Sequence, residues 1–104
     1  METPERRRHE RHDIVTAVML TPNGDQHMAR VMDLSEGGAR VGLSKGWIPP
    51  DGMPLRVLFK IHDADVVALQ ATVARVCRDH VGVTFDPEQE PSIHQLLRDA
   101  GVLH

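Results

Sequence analysis

Six short segments of β-favouring residues follow one another along this chain, joined by short connections. In several segments apolar residues alternate with polar ones, as in a strand that buries one face, and residues 55–61 give the clearest case. The connections are too short for parallel crossovers, so neighbouring strands are expected to be antiparallel. We predict strands at residues 14–20, 26–34, 39–43, 55–61, 66–77 and 81–85.

Turn and cap residues mark the ends of these elements. Asn23-Gly24 is a strong hairpin signal between the first two strands, and Gly101 lies where a helix commonly has a C′ glycine. Before Gly101, four apolar residues recur at the i, i+3, i+4 and i+7 spacing of a helix: Ile93, Leu96, Leu97 and Ala100. The pattern predicts a mainly β fold, an antiparallel sandwich or barrel, with a C-terminal helix that plugs or covers one open end.

Length and composition fit one small globular domain. The chain has 104 residues, of which 40% are apolar and 26% charged, as in an ordinary soluble protein. No apolar run approaches the ~20 residues that span a bilayer, and no secretory signal follows Met1. The single Cys77 excludes an internal disulfide and fits a reducing compartment. We therefore expect a cytoplasmic protein with no membrane partner.

Charge is spread unevenly along the chain. The net charge is −3, but residues 6–12 hold four Arg and two His against one Glu, whereas the chain from Asp13 onward carries twelve acids and eight bases. A basic arm on an acidic body favours an anionic partner for the arm, although a solvated, disordered terminus has the same composition. We interpret residues 1–12 as a flexible basic arm and residues 13–104 as the folded domain.

Two short motifs, one on each side of the first hairpin, carry groups that suit a guanine nucleotide. The first is R-x-x-x-R at residues 7–11, and the second is D-x-S-x-x-G at residues 33–38. Guanidinium groups match the Hoogsteen edge of guanine and also phosphate, and a carboxylate accepts from the Watson–Crick N–H groups of guanine. By strand alternation, Asp33 and Ser35 are expected to point to the same side.

Both motifs, and the order of the elements around them, resemble the PilZ domain family, the bacterial receptor module for cyclic di-GMP. The motifs match the family patterns R-x-x-x-R and [D/N]-x-S-x-x-G at every position, and the resemblance covers nearly the whole chain. It implies a six-stranded antiparallel β-barrel with a C-terminal α-helix. It also implies a non-enzymatic receptor whose ligand is cyclic di-GMP.

The resemblance implies roles for the arginines of the arm. Arg7 and Arg11 would grip guanine Hoogsteen edges and phosphates. Arg6 stands immediately before the first motif arginine, and by resemblance a long cation there favours two intercalated cyclic di-GMP molecules per chain. Arg8 is a further candidate for contact with phosphate.

The resemblance also implies roles for the second motif. Asp33 and Ser35 would hold the amino and ring N–H edge of a guanine, or ribose and phosphate. Gly38, with Gly37 beside it, would let the backbone lie against the ligand. The predicted ligand site therefore comprises Arg6, Arg7, Arg8, Arg11, Asp33, Ser35, Gly37 and Gly38.

A mechanism for signalling follows from the charge on the arm. Free, its like charges repel and stay solvated, whereas a ligand with two phosphates neutralises them and orders the arm through charge-assisted hydrogen bonds. The ordered arm would present a new surface to an unidentified downstream protein, in control of motility, biofilm or exopolysaccharide.

Three further residues stay open as ligand contacts. Arg40 would contact phosphate or lie on a solvated surface, and Arg75, on the predicted fifth strand, lies near a position that is often basic in the domains this chain resembles. Trp47 would stack on guanine or pack against its loop, with packing favoured. Residues 9–12 place two histidines three apart, whereas a metalloprotease needs four, and no zinc pattern or catalytic triad stands out. We predict no enzymatic activity, no metal and no cofactor.

Two other functions compete with the receptor. One is a protein-interaction adaptor of the same fold that binds no ligand, against which every motif position carries a competent residue. The other is a small barrel that binds single-stranded nucleic acid. Such barrels need a basic groove with aromatic residues for stacking, and this chain has three aromatic residues and an acidic body.

Overall fold

Six strands and one helix make up the fold. A computed structural model describes residues 15–43, 47–61 and 64–102. A 3-10 turn at Pro87–Gln89 precedes the helix. The elements are β1 Val15–Leu20, β2 Gln26–Leu34, β3 Gly38–Gly42, β4 Pro54–Ile61, β5 Val67–Val76, β6 His80–Phe85 and α1 Glu90–Asp99.

The strands form a closed barrel in the order β1-β2-β3-β6-β5-β4. Every neighbouring pair is antiparallel, including β1 with β4, which closes the sheet on itself. Each strand is therefore paired on both sides, so its backbone donors and acceptors are used within the barrel. The predicted fold class, a six-stranded antiparallel barrel with a C-terminal helix, is confirmed.

Alternate side chains of the strands fill the barrel. The burial pattern of β4, with every second residue buried from Leu55 to Ile61, is that of a strand with one face inward. Phe59 and Phe85 meet edge to face in this core, with ring centroids 5.8 Å apart. The four predicted helix residues, Ile93, Leu96, Leu97 and Ala100, are buried in the same core.

Specific contacts fix both ends of α1. At its start, the side chain of Gln89 accepts a hydrogen bond from the backbone N–H of Gln70 on β5 (2.9 Å) and donates to its carbonyl oxygen (2.6 Å). At its end, Gly101 has a φ of 80° and donates to the carbonyl of Arg98, while Val102 donates to that of Leu97. These two bonds form a Schellman motif, as the C′ glycine predicts.

Several element boundaries differ from the prediction by a residue. β3 begins at Gly38 and β6 at His80, one residue earlier than predicted, and β5 is Val67–Val76, so Cys77 lies in the turn that follows. The N-terminal arm lies outside the described residues. Among the described residues, no helix is long and apolar enough to span a bilayer.

Candidate functional site

An open cleft lies where β2 passes into β3, beside the end of β6. Its volume is about 420 Å³, within the range of small-molecule sites. The lining consists of residues 33–35, 37–40, 83 and 84, so the second motif supplies most of it. We call residues 35–37, which connect β2 to β3, the motif loop. The four predicted site residues of the second motif all line this one cleft.

A β-bulge in β2 decides which residues face the cleft. Val31 pairs with Val41 and Asp33 pairs with Arg40, so Met32 is an extra residue on β2. The bulge breaks the alternation of the strand: Val31 and Leu34 are both buried, although they are three residues apart. Asp33 is thereby exposed directly opposite Arg40, as bulges commonly re-aim a side chain near a functional site.

Asp33 and Arg40 form an ion pair at the rim of the cleft. Arg40 Nη2 lies 3.4 Å from Asp33 Oδ2, and the two side chains are 51% and 66% exposed. The other carboxylate oxygen, Oδ1, accepts a hydrogen bond of 3.0 Å from the backbone N–H of Leu34. An exposed pair at this distance contributes little stability, so both groups are available to an incoming ligand.

Ser35 is held by the turn rather than by the strand. β2 ends at Leu34, and the backbone N–H of Ser35 donates to the carbonyl of Gly38 (2.9 Å). The Ser35 hydroxyl donates to the same carbonyl at 3.3 Å. Asp33 and Ser35 are exposed on either side of the buried Leu34, as the alternation predicts, although Ser35 lies in the turn and not on β2. The two residues line the same cleft.

The two glycines of the motif, Gly37 and Gly38, differ in the space around their side-chain positions. A Cβ atom on Gly38 would lie 2.0 Å from the carbonyl oxygen of Val83, so the approach of β6 excludes a side chain. A Cβ atom on Gly37 would meet no heavy atom of the described residues within 4 Å, its chain neighbours aside. The carbonyl of Val83 is thus what excludes a side chain at Gly38, and the expectation that the Gly38 backbone lies against a ligand stays a prediction.

The sequence left Arg40, Arg75 and Trp47 open as ligand contacts. Arg40 lines the cleft, whereas Arg75 lies beyond it on β5, and both are registered opposite Gly82 of β6. Trp47 stacks on His27, with ring centroids 3.6 Å apart and planes 2° apart, so packing is its observed role. Arg6, Arg7, Arg8 and Arg11 lie outside the described residues, and their predicted roles stay predictions.

Sequence reasoning missed the contribution of β6 to this cleft. Val83 and Thr84 line it because Gly38 pairs with Thr84 and Ala39 with Val83. This pairing joins parts of the chain that are distant in sequence, so no local spacing of residues predicts it. Another contact of the motif loop was also invisible: Glu36 Oε2 lies 2.8 Å from His94 Nε2 on α1.

The fold has counterparts among solved structures. It superposes on the crystal structure of the PilZ domain of CeSA from a cellulose-synthesizing bacterium with a TM-score of 0.68, at 20% identity, over 81% of this chain and 89% of that one. It also superposes on an uncharacterised Legionella protein with a TM-score of 0.54, at 23% identity, over 84% and 82% of the two chains. At these identities the likeness is one of fold. Among curated proteins, none matches the chain.

The family is shown by the sequence match. The PilZ domain model matches residues 5–100, which include both motifs, all six strands and the whole of α1. The barrel order and the closing helix agree with this match. The chain therefore belongs to the PilZ domain family.

Proposed function

We propose that this chain is a receptor for cyclic di-GMP that binds its ligand in the cleft at the motif loop. PilZ domains are generally cyclic di-GMP receptors, binding domains rather than enzymes. The observation that carries the proposal is the gathering of Asp33, Ser35, Gly37 and Arg40 around one open cleft. A carboxylate, a hydroxyl, an open backbone and a guanidinium together supply both acceptors and donors for a guanine nucleotide.

The Asp33–Arg40 ion pair supplies the charged groups of the proposed ligand site. Asp33 is anchored through Oδ1 by the N–H of Leu34, which leaves Oδ2 facing Arg40. In the complex we expect this carboxylate to accept from the N–H edge of a guanine, and Arg40 to turn to a phosphate. The exchange is inexpensive, because an exposed ion pair at 3.4 Å contributes at most about 1 kcal/mol.

The strand pairing supports a role for the arm at the same cleft. Thr16 pairs with Arg30, so the start of β1 lies at the same end of the barrel as the end of β2, where Asp33 lies. Arg11 precedes Val15 by four residues, so at most about 14 Å of extended chain joins their Cα atoms. Arg7 and Arg11 are thus attached close enough to contribute to the cleft.

Two finer parts of the proposal concern stoichiometry and output. Arg6, next to the first motif arginine, favours two intercalated cyclic di-GMP molecules per chain. Neutralisation of Arg6, Arg7, Arg8 and Arg11 by the ligand phosphates would order the arm and create a surface for a downstream protein. Control of motility, biofilm or exopolysaccharide would then pass through that protein contact.

Calorimetric titration with cyclic di-GMP tests the proposal. We expect saturable binding by the wild-type chain, strongly weakened in the Arg7→Ala, Arg11→Ala double variant and in Asp33→Ala. Arg98→Ala serves as the matched control, because Arg98 is an exposed arginine on α1 away from the cleft. Competition with GTP, GMP and an oligonucleotide tests selectivity. Absence of binding by folded wild-type chain would favour the ligand-independent adaptor, and preference for the oligonucleotide would favour a nucleic-acid barrel.

A further inference from the structure

Three metal-ligating side chains from two distant segments meet beside the motif loop. Glu36 belongs to that loop, while Glu90 and His94 lie four residues apart on α1. One ligating atom from each of the three lies within 4.8 Å of those of the other two. We propose that these residues, the Glu36–Glu90–His94 cluster, bind a divalent transition-metal ion of the Zn²⁺ type.

The spacing of the ligand atoms suits a shared ion. His94 Nε2 lies 2.8 Å from Glu36 Oε2 and 3.7 Å from Glu90 Oε2. Around tetrahedral Zn²⁺, with bonds of about 2.1 Å, ligand atoms lie about 3.4 Å apart. The glutamate side chains are 68% and 70% exposed, so they can make the small rotations required without displacing the backbone.

The donor set favours a transition metal over Mg²⁺ or Ca²⁺. Imidazole nitrogen suits Zn²⁺ and its neighbours, whereas Mg²⁺ and Ca²⁺ prefer oxygen ligands alone. The two carboxylates bring two negative charges close together, and a divalent cation compensates both. Glu90 and His94 share one helix face through their i, i+4 spacing, and Glu36 supplies the third ligand from outside the helix. Three protein ligands leave a fourth position for water.

The metal-free contacts already hold the cluster together. A carboxylate can only accept, so His94 Nε2–H is the donor in its 2.8 Å contact with Glu36. A bound ion would take the place of that hydrogen and join the motif loop to α1 through coordination bonds. Glu36 and His94 are 58 residues apart in sequence, which is why no ligand spacing predicted the cluster. The proposal is independent of cyclic di-GMP binding.

The test is a calorimetric titration of the chelator-treated full chain with Zn²⁺. We expect a saturable site that is weakened about tenfold or more by His94→Ala and by Glu36→Gln, since even the loss of a residue that only supports a ligand has an effect of this size. His80→Ala is the matched control: His80 lies 2.9 Å from the single carboxylate of Asp79 and has no place in the cluster. Substitution by Co²⁺ should give the absorption bands of a tetrahedral nitrogen and oxygen site.

Two results would overturn the proposal. One is the absence of saturable Zn²⁺ binding by the folded wild-type chain. The other is equal affinity in the wild type, His94→Ala and Glu36→Gln, because binding would then belong to others among the seven histidines. Circular dichroism checks that each variant is folded. Glu36→Gln changes an exposed loop side chain, so it keeps the test decisive should His94→Ala unfold.

Discussion

The carbonyl oxygen of Val83 lies 2.0 Å from the position that a Cβ atom would take on Gly38. Gly38 pairs with Thr84, next to Val83, at the point where β3 meets β6. Real Cβ atoms do not approach a carbonyl this closely, so any other residue must push the two strands apart. The last glycine of the motif is therefore required for the close packing of β3 against β6. Val83 and Thr84 of β6 also line the cleft.

We predict that Gly38→Ala destabilises the barrel. The added methyl group meets backbone, which cannot rotate away, so we expect a loss of about 1–3 kcal/mol in the free energy of unfolding. Urea denaturation measures it. Gly37→Ala is the control, because space is open there among the described residues and the expected change is within about 0.5 kcal/mol. Equal losses in both variants would contradict the packing role assigned to Gly38.

A larger side chain at Gly37 separates ligand binding from stability. The backbone of Gly37 is fixed, since its carbonyl accepts from the N–H of Phe85 at 2.8 Å, but no other described residue comes within 4 Å of its side-chain position, its chain neighbours aside. If cyclic di-GMP lies over this position, Gly37→Leu should weaken binding about tenfold or more while the unfolding free energy changes little. Calorimetry beside urea denaturation gives both quantities. Unchanged affinity would place the ligand elsewhere in the cleft.

The fold was predictable from sequence because its signals are local. Alternation over residues 55–61, the Asn23-Gly24 turn and the apolar spacing before Gly101 each depend on neighbours in sequence. All of the predicted strands and the helix are present, with most boundaries within a residue or two. The closed barrel was expected only from the family resemblance, since the alternation alone allowed a sandwich, and the pairing of β1 with β4 that closes it was not predicted.

The details of the site were less predictable because they depend on pairing between distant segments. The motif identified Asp33 and Ser35, but the bulge at Met32, which turns Asp33 toward Arg40, is a property of the β2–β3 register. The carbonyl oxygen that excludes a side chain at Gly38 belongs to β6, and the histidine that pairs with Glu36 lies on α1. Such contacts between distant segments are set by packing, and a single sequence does not encode them as a spacing.

From the Asp79–His80 pair we predict that the stability of the fold depends on pH. The side-chain hydrogen bond with His80, at 2.9 Å, holds the pKa of Asp79 below its ordinary value, outweighing partial desolvation, which raises it. A lowered pKa in the folded state stabilises the fold at pH values above the unfolded-state pKa, and this contribution is lost as pH falls through the folded-state value.

We expect His80→Ala to raise the pKa of Asp79 toward its ordinary value, because the main cause of the shift is removed. Carboxyl carbon chemical shifts, followed by NMR through an acid titration, measure this directly. His94→Ala is the control, since His94 pairs with Glu36 and Glu90 instead. A titration of Asp79 that is the same in wild type and His80→Ala would show that the hydrogen bond is not the cause.

A double-mutant cycle at Asp33 and Arg40 distinguishes a structural ion pair from a ligand-binding pair. Because the pair is exposed, we expect its coupling energy in unfolding to be at most about 1 kcal/mol. Charge-assisted hydrogen bonds to a ligand contribute about 1.5–3 kcal/mol each, so Asp33→Ala and Arg40→Ala should each weaken cyclic di-GMP binding by tenfold or more.

If Arg40 contacts phosphate, its loss should weaken binding even in the Asp33→Ala background, and by less at high salt. If Arg40 acts only by orienting Asp33, the second substitution should have no further effect. A large coupling in unfolding, with unchanged affinity in both single variants, would assign the pair to the barrel and remove it from the proposed site.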